Sequence, residues 1–239
     1  MNASLDIVLP CYNPAEEWAE RVIEGYEEIV EELPEERIHL ILVNDGSSKA
    51  LLPEDIEKLR NSIPFFEFLD IKINQGKGAA LRSGVSKSKA AICIFTDIDF
   101  PYRTPSFLKI FQLLKEKETD IAIGIKDRSY YSHLPWLRIQ VSKFLRFLAR
   151  TFMRISITDT QCGLKGFNAK GRDVFLQTTI KRYLADLEFI FLSDRRKDLT
   201  MKSVEVSLRP GIIFSKVNPR ILFAEGINFL RVFFRSLGS

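Results

Sequence analysis

Two aspartates one residue apart, Asp97-Ile98-Asp99, follow the apolar run 90–96 (AAICIFT). Carboxylates at this spacing past a strand end can both turn toward one point in a cleft. A hard divalent cation such as Mg²⁺ or Mn²⁺ prefers oxygen ligands of this kind and completes its shell with phosphates and water. Held there, it would neutralise a departing diphosphate. The same residues can also be no more than a polar turn ending a strand. Three further segments carry comparable choices. Asn44-Asp45-Gly46-Ser47-Ser48 closes another apolar run; Asp45 can accept hydrogen bonds from a nucleobase, or the segment is an ordinary Asx-turn. Asn74-Gln75-Gly76-Lys77-Gly78 precedes a helix pattern. Its glycines admit close backbone approach, and Lys77 at a helix start can meet a diphosphate; the alternative is a surface turn with a solvated lysine. The spacing is not that of a P-loop. In Asp159-Thr160-Gln161-Cys162-Gly163, Asp159 can be a general base or orienting carboxylate, or a helix N-cap.

Such residues need a scaffold. Residues 5–10 (LDIVLP) and 38–44 (IHLILVN) read as short buried strands, as do 65–71, 90–96 and 120–125. Between them, 15–33, 53–61, 78–88 and 104–117 read as helices. The first has Trp18, Val22, Ile29 and Leu33 on one face, and Pro105 is tolerated at the first position of the last. Strands alternating with helices predict an α/β fold with a mostly parallel sheet covered on both faces. Ligands bind such sheets at the carboxyl ends of the strands, where the turns after the first, second and fourth strands fall. The second half is less regular: a helix over 135–154, a loop at 158–163, helices over 169–178 and 184–196, a strand over 200–208 and an amphipathic helix over 219–236. No repeat, low-complexity tract or linker interrupts the chain, so 1–239 is expected to be one domain.

Composition narrows the function classes. The chain has 239 residues, 46% hydrophobic and 28% charged, as in an ordinary globular protein. Cys11, Cys93 and Cys162 lack metal-ligand spacing, and two histidines cannot easily complete a zinc site; a reduced compartment is the simple reading. No signal peptide pattern opens the chain, and no apolar run reaches the roughly 18–20 residues of a membrane span. The net charge of +4 hides a polarity, with −8 over residues 1–120 and +12 over 121–239. A basic back half suits an anionic partner: a membrane surface, a phosphorylated acceptor or nucleic acid. Residues 135–154 carry Arg138, Lys143, Arg146, Arg150 and Arg154 and no acid, interleaved with apolar side chains. Helices of this composition can lie in the membrane interface, or their apolar faces can be core or oligomer contacts. Nucleic acid is disfavoured, because the basic residues alternate with aliphatic ones and form no recognisable module.

Together, Leu9-Pro10-Cys11-Tyr12-Asn13-Pro14, Val43 to Ser48, Asn74 to Ala80, Asp97-Ile98-Asp99 and Asp159 to Lys165 follow the order seen in glycosyltransferase family two. The segment DTQCGLKGF is similar to that of dolichyl-phosphate glucosyltransferases and dolichyl-phosphate mannose synthases. The resemblance runs from Ile7 to about Lys216. It implies a GT-A fold: a Rossmann-like, mostly parallel sheet flanked by helices, with amphipathic helices in the C-terminal half. It implies inverting transfer of a hexose from a UDP- or GDP-sugar to a polyprenyl (dolichyl or undecaprenyl) phosphate, with Mg²⁺ or Mn²⁺ as cofactor. Pro10, Tyr12, Asn13 and Glu16 would line the nucleotide pocket, with Asp45 at the base and Lys77 near the diphosphate. Asp97 and Asp99 would hold the metal and the donor's phosphates. Asp99 and Asp159 would be catalytic, the latter beside the acceptor, whose phosphate would meet Arg128, Arg138, Arg209 and Lys216. Residues 1–125 would bind the nucleotide sugar, and 126–239 would face the acceptor and the membrane, the protein lying peripherally on its cytoplasmic face. Two alternatives stay open. One is a transferase acting on a sugar hydroxyl in a surface polysaccharide, with Asp159 as base. The other is a non-catalytic nucleotide-sugar sensor at the membrane, against which Asp97, Asp99 and Lys77 count. The sequence departs from the family's pattern at Phe100-Pro101-Tyr102, where relatives often have small or polar residues, and at Pro14, where they often carry an acid.

Overall fold

The computed structural model describes residues 3–48, 51–126 and 162–210, together with positions 140 and 229. β1 (Leu5–Cys11) and β2 (Ile38–Asp45) are mostly apolar runs, interrupted by Asp6 and His39 and buried on both faces, the pattern of strands inside a parallel sheet. Between them, α1 (Trp18–Glu32) buries Trp18, Ala19, Val22, Gly25, Tyr26 and Ile29, a stripe at helical spacing. α2 (Pro53–Ser62) opens on a proline whose missing N–H has no intrahelical partner to lose, and sets Glu54 and Asp55 at the positive end of the helix. The chain continues through β3 (Phe66–Ile71), α3 (Lys77–Val85), β4 (Ile92–Phe95), α4 (Thr104–Lys115) and β5 (Ile121–Lys126). Further along the chain come β6 (Lys165–Asn168), α5 (Ala169–Leu176), α6 (Ala185–Asp194) and β7 (Met201–Val206).

The seven strands form one sheet in the order β3-β2-β1-β4-β6-β5-β7. β1 pairs in parallel with β2 and with β4, and β5 pairs in parallel with β7. β6 runs antiparallel to both of its neighbours, filling the place between β4 and β5. One apolar cluster packs α1, α2 and α4 on the sheet, and a second packs α3, α5 and α6. The chain leaves β1 toward β2 and β3, then returns to β4 on the opposite side of β1. That reversal opens a crevice at the carboxyl ends of β1 and β4, where ligands of such sheets bind.

Through residue 126 the elements start and stop within three residues of the sequence reading. β6 is the difference. Its four residues, Lys-Gly-Phe-Asn, carry no alternation of apolar and polar positions, and only the gap between β4 and β5 makes them a strand. The expected helices 135–154 and 219–236 lie outside the described residues except at Gln140 and Phe229, both helical. Phe229 is buried in the cluster formed by α3, α5 and α6. Phe229 therefore meets the protein's own core. Among the described residues no helix is long and apolar enough to cross a membrane.

Candidate active site

β4 ends at Phe95, and Asp97 lies two residues further on. Phe95 pairs with Lys165 on antiparallel β6, so Gly163, two residues before Lys165, stands across from Asp97. A Cβ on Gly163 would collide with the Asp97 carboxylate. The turn that follows is closed by the Phe100 amide donating to the Asp97 carbonyl at 3.1 Å. Phe100 takes φ 43°, a left-handed conformation that costs a bulky residue about 1–2 kcal/mol. Its ring is buried, and a Cβ on Gly25 of α1 would lie 2.5 Å from it. The sequence departure at Phe100 is therefore the anchor that holds the aspartate turn against α1.

Asp97 is half-buried and accepts a hydrogen bond from the Lys77 ammonium. Burial alone would raise its carboxyl, but Lys77, with Lys165 and Lys126 further off, holds it below the usual value. Asp99 stands at the exposed rim; desolvation by the cleft wall and the Asp97 charge raise its carboxyl. Beneath them lies Lys165, wholly buried. Its ammonium donates to the Cys162 carbonyl and, at 2.9 Å, to Asp186 Oδ1 of α6, and lies 5.7 Å from the centre of the Phe95 ring. A buried ammonium is tolerated only with partners of this kind. Asp186 also acts on Lys77: burial works to lower the Lys77 ammonium, and Asp97 and Asp186 together raise it. Charge thus alternates from Asp97 through Lys77 and Asp186 to Lys165. On the other side, the Gly163 amide donates to the Tyr102 hydroxyl at 2.9 Å, and burial pushes that phenol well above its ordinary value.

The ends of β1 and β2 are laced to each other and to the segment before α3. Asn44 makes the Asx-turn: its Oδ1 accepts from the Ser47 amide at 3.1 Å and the Ser47 hydroxyl at 2.7 Å. Asn13, at φ 46°, donates its amide to the Ser47 hydroxyl and accepts from the Ser48 amide, both at 2.9 Å. Asp45 takes no part in that turn. Its Oδ1 accepts from the Gln75 amide at 2.8 Å, while Oδ2 accepts from the Gly76 amide at 2.8 Å and the Asn74 side chain at 3.0 Å. A carboxylate has about four lone-pair sites, so one remains on Oδ1. Gly76 has φ 102°, and a Cβ there would lie 2.5 Å from the Lys181 carbonyl. By fixing Gly76, Asp45 fixes the start of α3 and hence Lys77. Tyr12 is half exposed beside this lacework, Pro10 pairs with Val43 one residue before the end of β1, and Glu16 is exposed, its carbonyl accepting from Arg21 at 3.1 Å.

The fold therefore gathers Tyr12, Asn13, Asp45, Lys77, Asp97 and Asp99 at the carboxyl ends of β1, β2 and β4. Arg209 is elsewhere engaged. Its two terminal nitrogens each donate to Glu28 of α1 at 2.7 Å, its Nε to the Tyr102 carbonyl at 3.3 Å. It straps the end of β7 to α1 behind the aspartate turn. Asp159, Arg128, Arg138 and Lys216 lie outside the described residues. Sequence reasoning missed Asp186 and Glu188, and gave Lys165 no role of its own. A signal for the two acids was present: they sit in a helix otherwise apolar all round (ADLEFIFL), and a helix of that kind is buried.

Asp97 and Asp99 offer two hard oxygen donors, and among the described residues no group of three or more His, Cys, Asp or Glu could hold a metal ion. That ligand count suits a cation whose shell is completed by phosphates and water. A cation would also relieve the repulsion that raises Asp99, so the donor set fits Mg²⁺ or Mn²⁺.

A family model described as glycosyl transferase family 2 matches residues 6–175. Dolichyl-phosphate beta-glucosyltransferase of Drosophila melanogaster is 27% identical over 220 residues, covering 84% of this chain and 66% of that relative. The enzyme of the same name from Dictyostelium discoideum is 26% identical over 255 residues, covering 99% of this chain and 76% of its own. Among solved structures, glucosyl-3-phosphoglycerate synthase from Mycobacterium tuberculosis in complex with UDP superposes with a TM-score of 0.68 at 16% identity, over 99% of this chain and 80% of that one. The same synthase has been solved with Mg²⁺ and UDP, at a TM-score of 0.66.

Proposed function

This chain belongs to glycosyl transferase family 2, and on that premise we propose that it transfers a hexose from a nucleotide-diphosphate sugar to a polyprenyl phosphate. The relatives matched over most of the chain are dolichyl-phosphate beta-glucosyltransferases, which supports the acceptor and favours glucose. Fold neighbours have been solved with UDP and with GDP-Man, and the choice of a UDP-sugar rests on the glucosyltransferase relatives alone.

Asp97 and Asp99 would hold a divalent cation, which when bound supplies positive charge against the departing diphosphate. Lys77 adds a second positive charge at the same place. The exposed Tyr12 ring offers a face for the base, with Pro10, Asn13 and Glu16 around it, and the remaining lone pair of Asp45 accepts a base N–H. The acceptor phosphate, anionic near neutral pH, attacks the anomeric carbon directly and inverts it. Asp159 would stand beside the acceptor, with Arg128, Arg138 and Lys216 as its cations. The basic composition of residues 135–154 supports action at the cytoplasmic surface of a membrane.

One observation carries this choice of acceptor: the relatives matched over 84% and 99% of this chain are dolichyl-phosphate beta-glucosyltransferases. A sugar hydroxyl would need a base, the role Asp159 would take; a phosphate does not. The test is a donor screen with Mn²⁺ or Mg²⁺, a short-chain polyprenyl phosphate, and UDP-glucose, UDP-GlcNAc, UDP-galactose or GDP-mannose, the lipid followed by mass. The expected result is a glycosyl-phosphate lipid from UDP-glucose that vanishes with Asp99→Ala. Metal-dependent nucleotide binding without any lipid product would refute the acceptor.

A further inference from the structure

Between α5 and α6 the chain displays three consecutive exposed residues, Lys181, Arg182 and Tyr183. Exposed cations are usually solvated and without consequence, but the backbone beneath these is held at successive points. Glu188 accepts from the Thr179 and Ile180 amides at 2.7 Å each. Arg82 of α3 donates to the Thr178 hydroxyl at 3.1 Å and the Ile180 carbonyl at 2.7 Å. The Lys181 carbonyl accepts from the Ala79 amide at 3.0 Å, and the Arg182 carbonyl from the Ala185 amide at 3.2 Å. With the backbone doing the fastening, the side chains are left over. Among the described residues neither Lys181 nor Arg182 makes a side-chain hydrogen bond or ion pair.

Their place is the rim of the crevice. A Cβ on Gly76 would lie 3.1 Å from Arg182 Cγ, and Tyr183 is within electrostatic reach of Lys77. Of the nearby acids, Asp97 is paired with Lys77 and Asp186 with Lys165, while Asp45 and Glu188 are held by backbone amides. The result is two cations without a side-chain partner, Lys181 and Arg182, presented on a fastened backbone next to Lys77. Arg209, the one described member of the expected acceptor-phosphate set, is meanwhile held by Glu28.

We infer that Lys181 and Arg182 form a subsite for a substrate phosphate on the α3 side of the crevice. For the identity of that substrate the inference rests on the transferase reading above. The phosphate is either the monoester of the acceptor or the diphosphate of the donor. Both are polyanions that a guanidinium and an ammonium bind by charge-assisted hydrogen bonds.

The test is calorimetric titration of the Mn²⁺-loaded full chain with UDP and, separately, with citronellyl phosphate. Wild type is compared with Lys181→Ala/Arg182→Ala and with Arg182→Lys. Since neither side chain holds the fold, all three proteins should melt together. The expected result is that the double variant weakens one ligand by about tenfold or more, the loss of a charge-assisted hydrogen bond, and that Arg182→Lys weakens it less. Loss confined to citronellyl phosphate identifies the acceptor as the source; loss confined to UDP identifies the donor. Unchanged affinity for both ligands overturns the subsite, as does unchanged UDP affinity in a protein whose wild type binds no citronellyl phosphate. The transferase reading is judged separately: binding without any glycosylated lipid product from wild type defeats that reading and leaves the subsite to the titrations.

Discussion

Asp97 and Gly163 face each other two residues beyond the last paired positions of β4 and β6, so close that glycine is the one residue that leaves the Asp97 carboxylate where it is. The relationship follows from register alone. Antiparallel pairing of Phe95 with Lys165 carries the two chain ends past one another, and the crevice begins where hydrogen bonding stops. Tyr102 holds Gly163 from one side and Lys165 holds Cys162 from the other. The aspartate is thus placed by a backbone contact, not by a side chain that could swing away.

Gly163→Ala is therefore expected to displace Asp97 while leaving the fold intact, since the collision is with a half-buried carboxylate at the crevice. A displacement near 1 Å at a reacting centre costs about 100-fold in rate. Transfer activity and Mn²⁺-dependent UDP affinity should both fall, with a melting temperature close to wild type. Retained metal-dependent UDP binding would show that the contact does not position Asp97.

This placement also marks how far the sequence could be read. The strand ends at Cys11, Asp45 and Phe95 are legible because apolar runs stop there at turn residues, and the motifs after them follow. That Asn44 builds the Asx-turn while Asp45 reaches across to Gln75 and Gly76 is not legible, since both residues suit both tasks. Nor is β6, whose strand character comes from its neighbours. The resemblance casts Arg209 as a cation for the acceptor, and an arginine's partner is invisible in sequence; here its partner is Glu28, far away in the chain.

Asp45→Asn separates the two roles of Asp45. One oxygen becomes an amide that faces a backbone donor, so at least one hydrogen bond to the 74–76 segment is lost, at a cost of about 1–3 kcal/mol. The start of α3 loosens, and Lys77 with it. The expected outcome is a lower melting temperature together with weaker UDP binding in the presence of Mn²⁺. Weaker binding at an unchanged melting temperature would mean that Asp45 serves the base alone.

Lys165 and Asp186 test the buried end of the charge chain. Lys165→Met leaves Asp186 buried beside nothing but Lys77, and breaking a buried pair in this way costs about 3–5 kcal/mol. Lys165→Met/Asp186→Leu removes the stranded charge as well, and should recover most of that loss. Urea midpoints of the single and double variants, at equal slope, measure the difference. A double variant no more stable than Lys165→Met would mean that the ammonium's contact with the Cys162 carbonyl, not the ion pair, is what the fold needs.

The strap between Glu28 and Arg209 makes a prediction in pH. The Arg209 hydrogen bonds hold the Glu28 carboxyl below its ordinary 4.5, partial burial opposes them, and the Thr104 hydroxyl adds to the lowering. A carboxyl whose folded value lies below its unfolded value stabilises the fold fully above the unfolded value, and that contribution is lost as pH falls through the folded one. Glu28 is 43% exposed at its side chain, so solvent screening limits the contribution to about 1 kcal/mol or less. Glu28→Gln should therefore lower the melting temperature at pH 7 by a small amount. The gap between variant and wild type should close as pH drops below 4.5, and should narrow in high salt at pH 7. Melting curves of the two proteins between pH 7 and pH 3 read this directly. A gap that persists undiminished at pH 3 would show that the charge of Glu28 is not what the strap contributes.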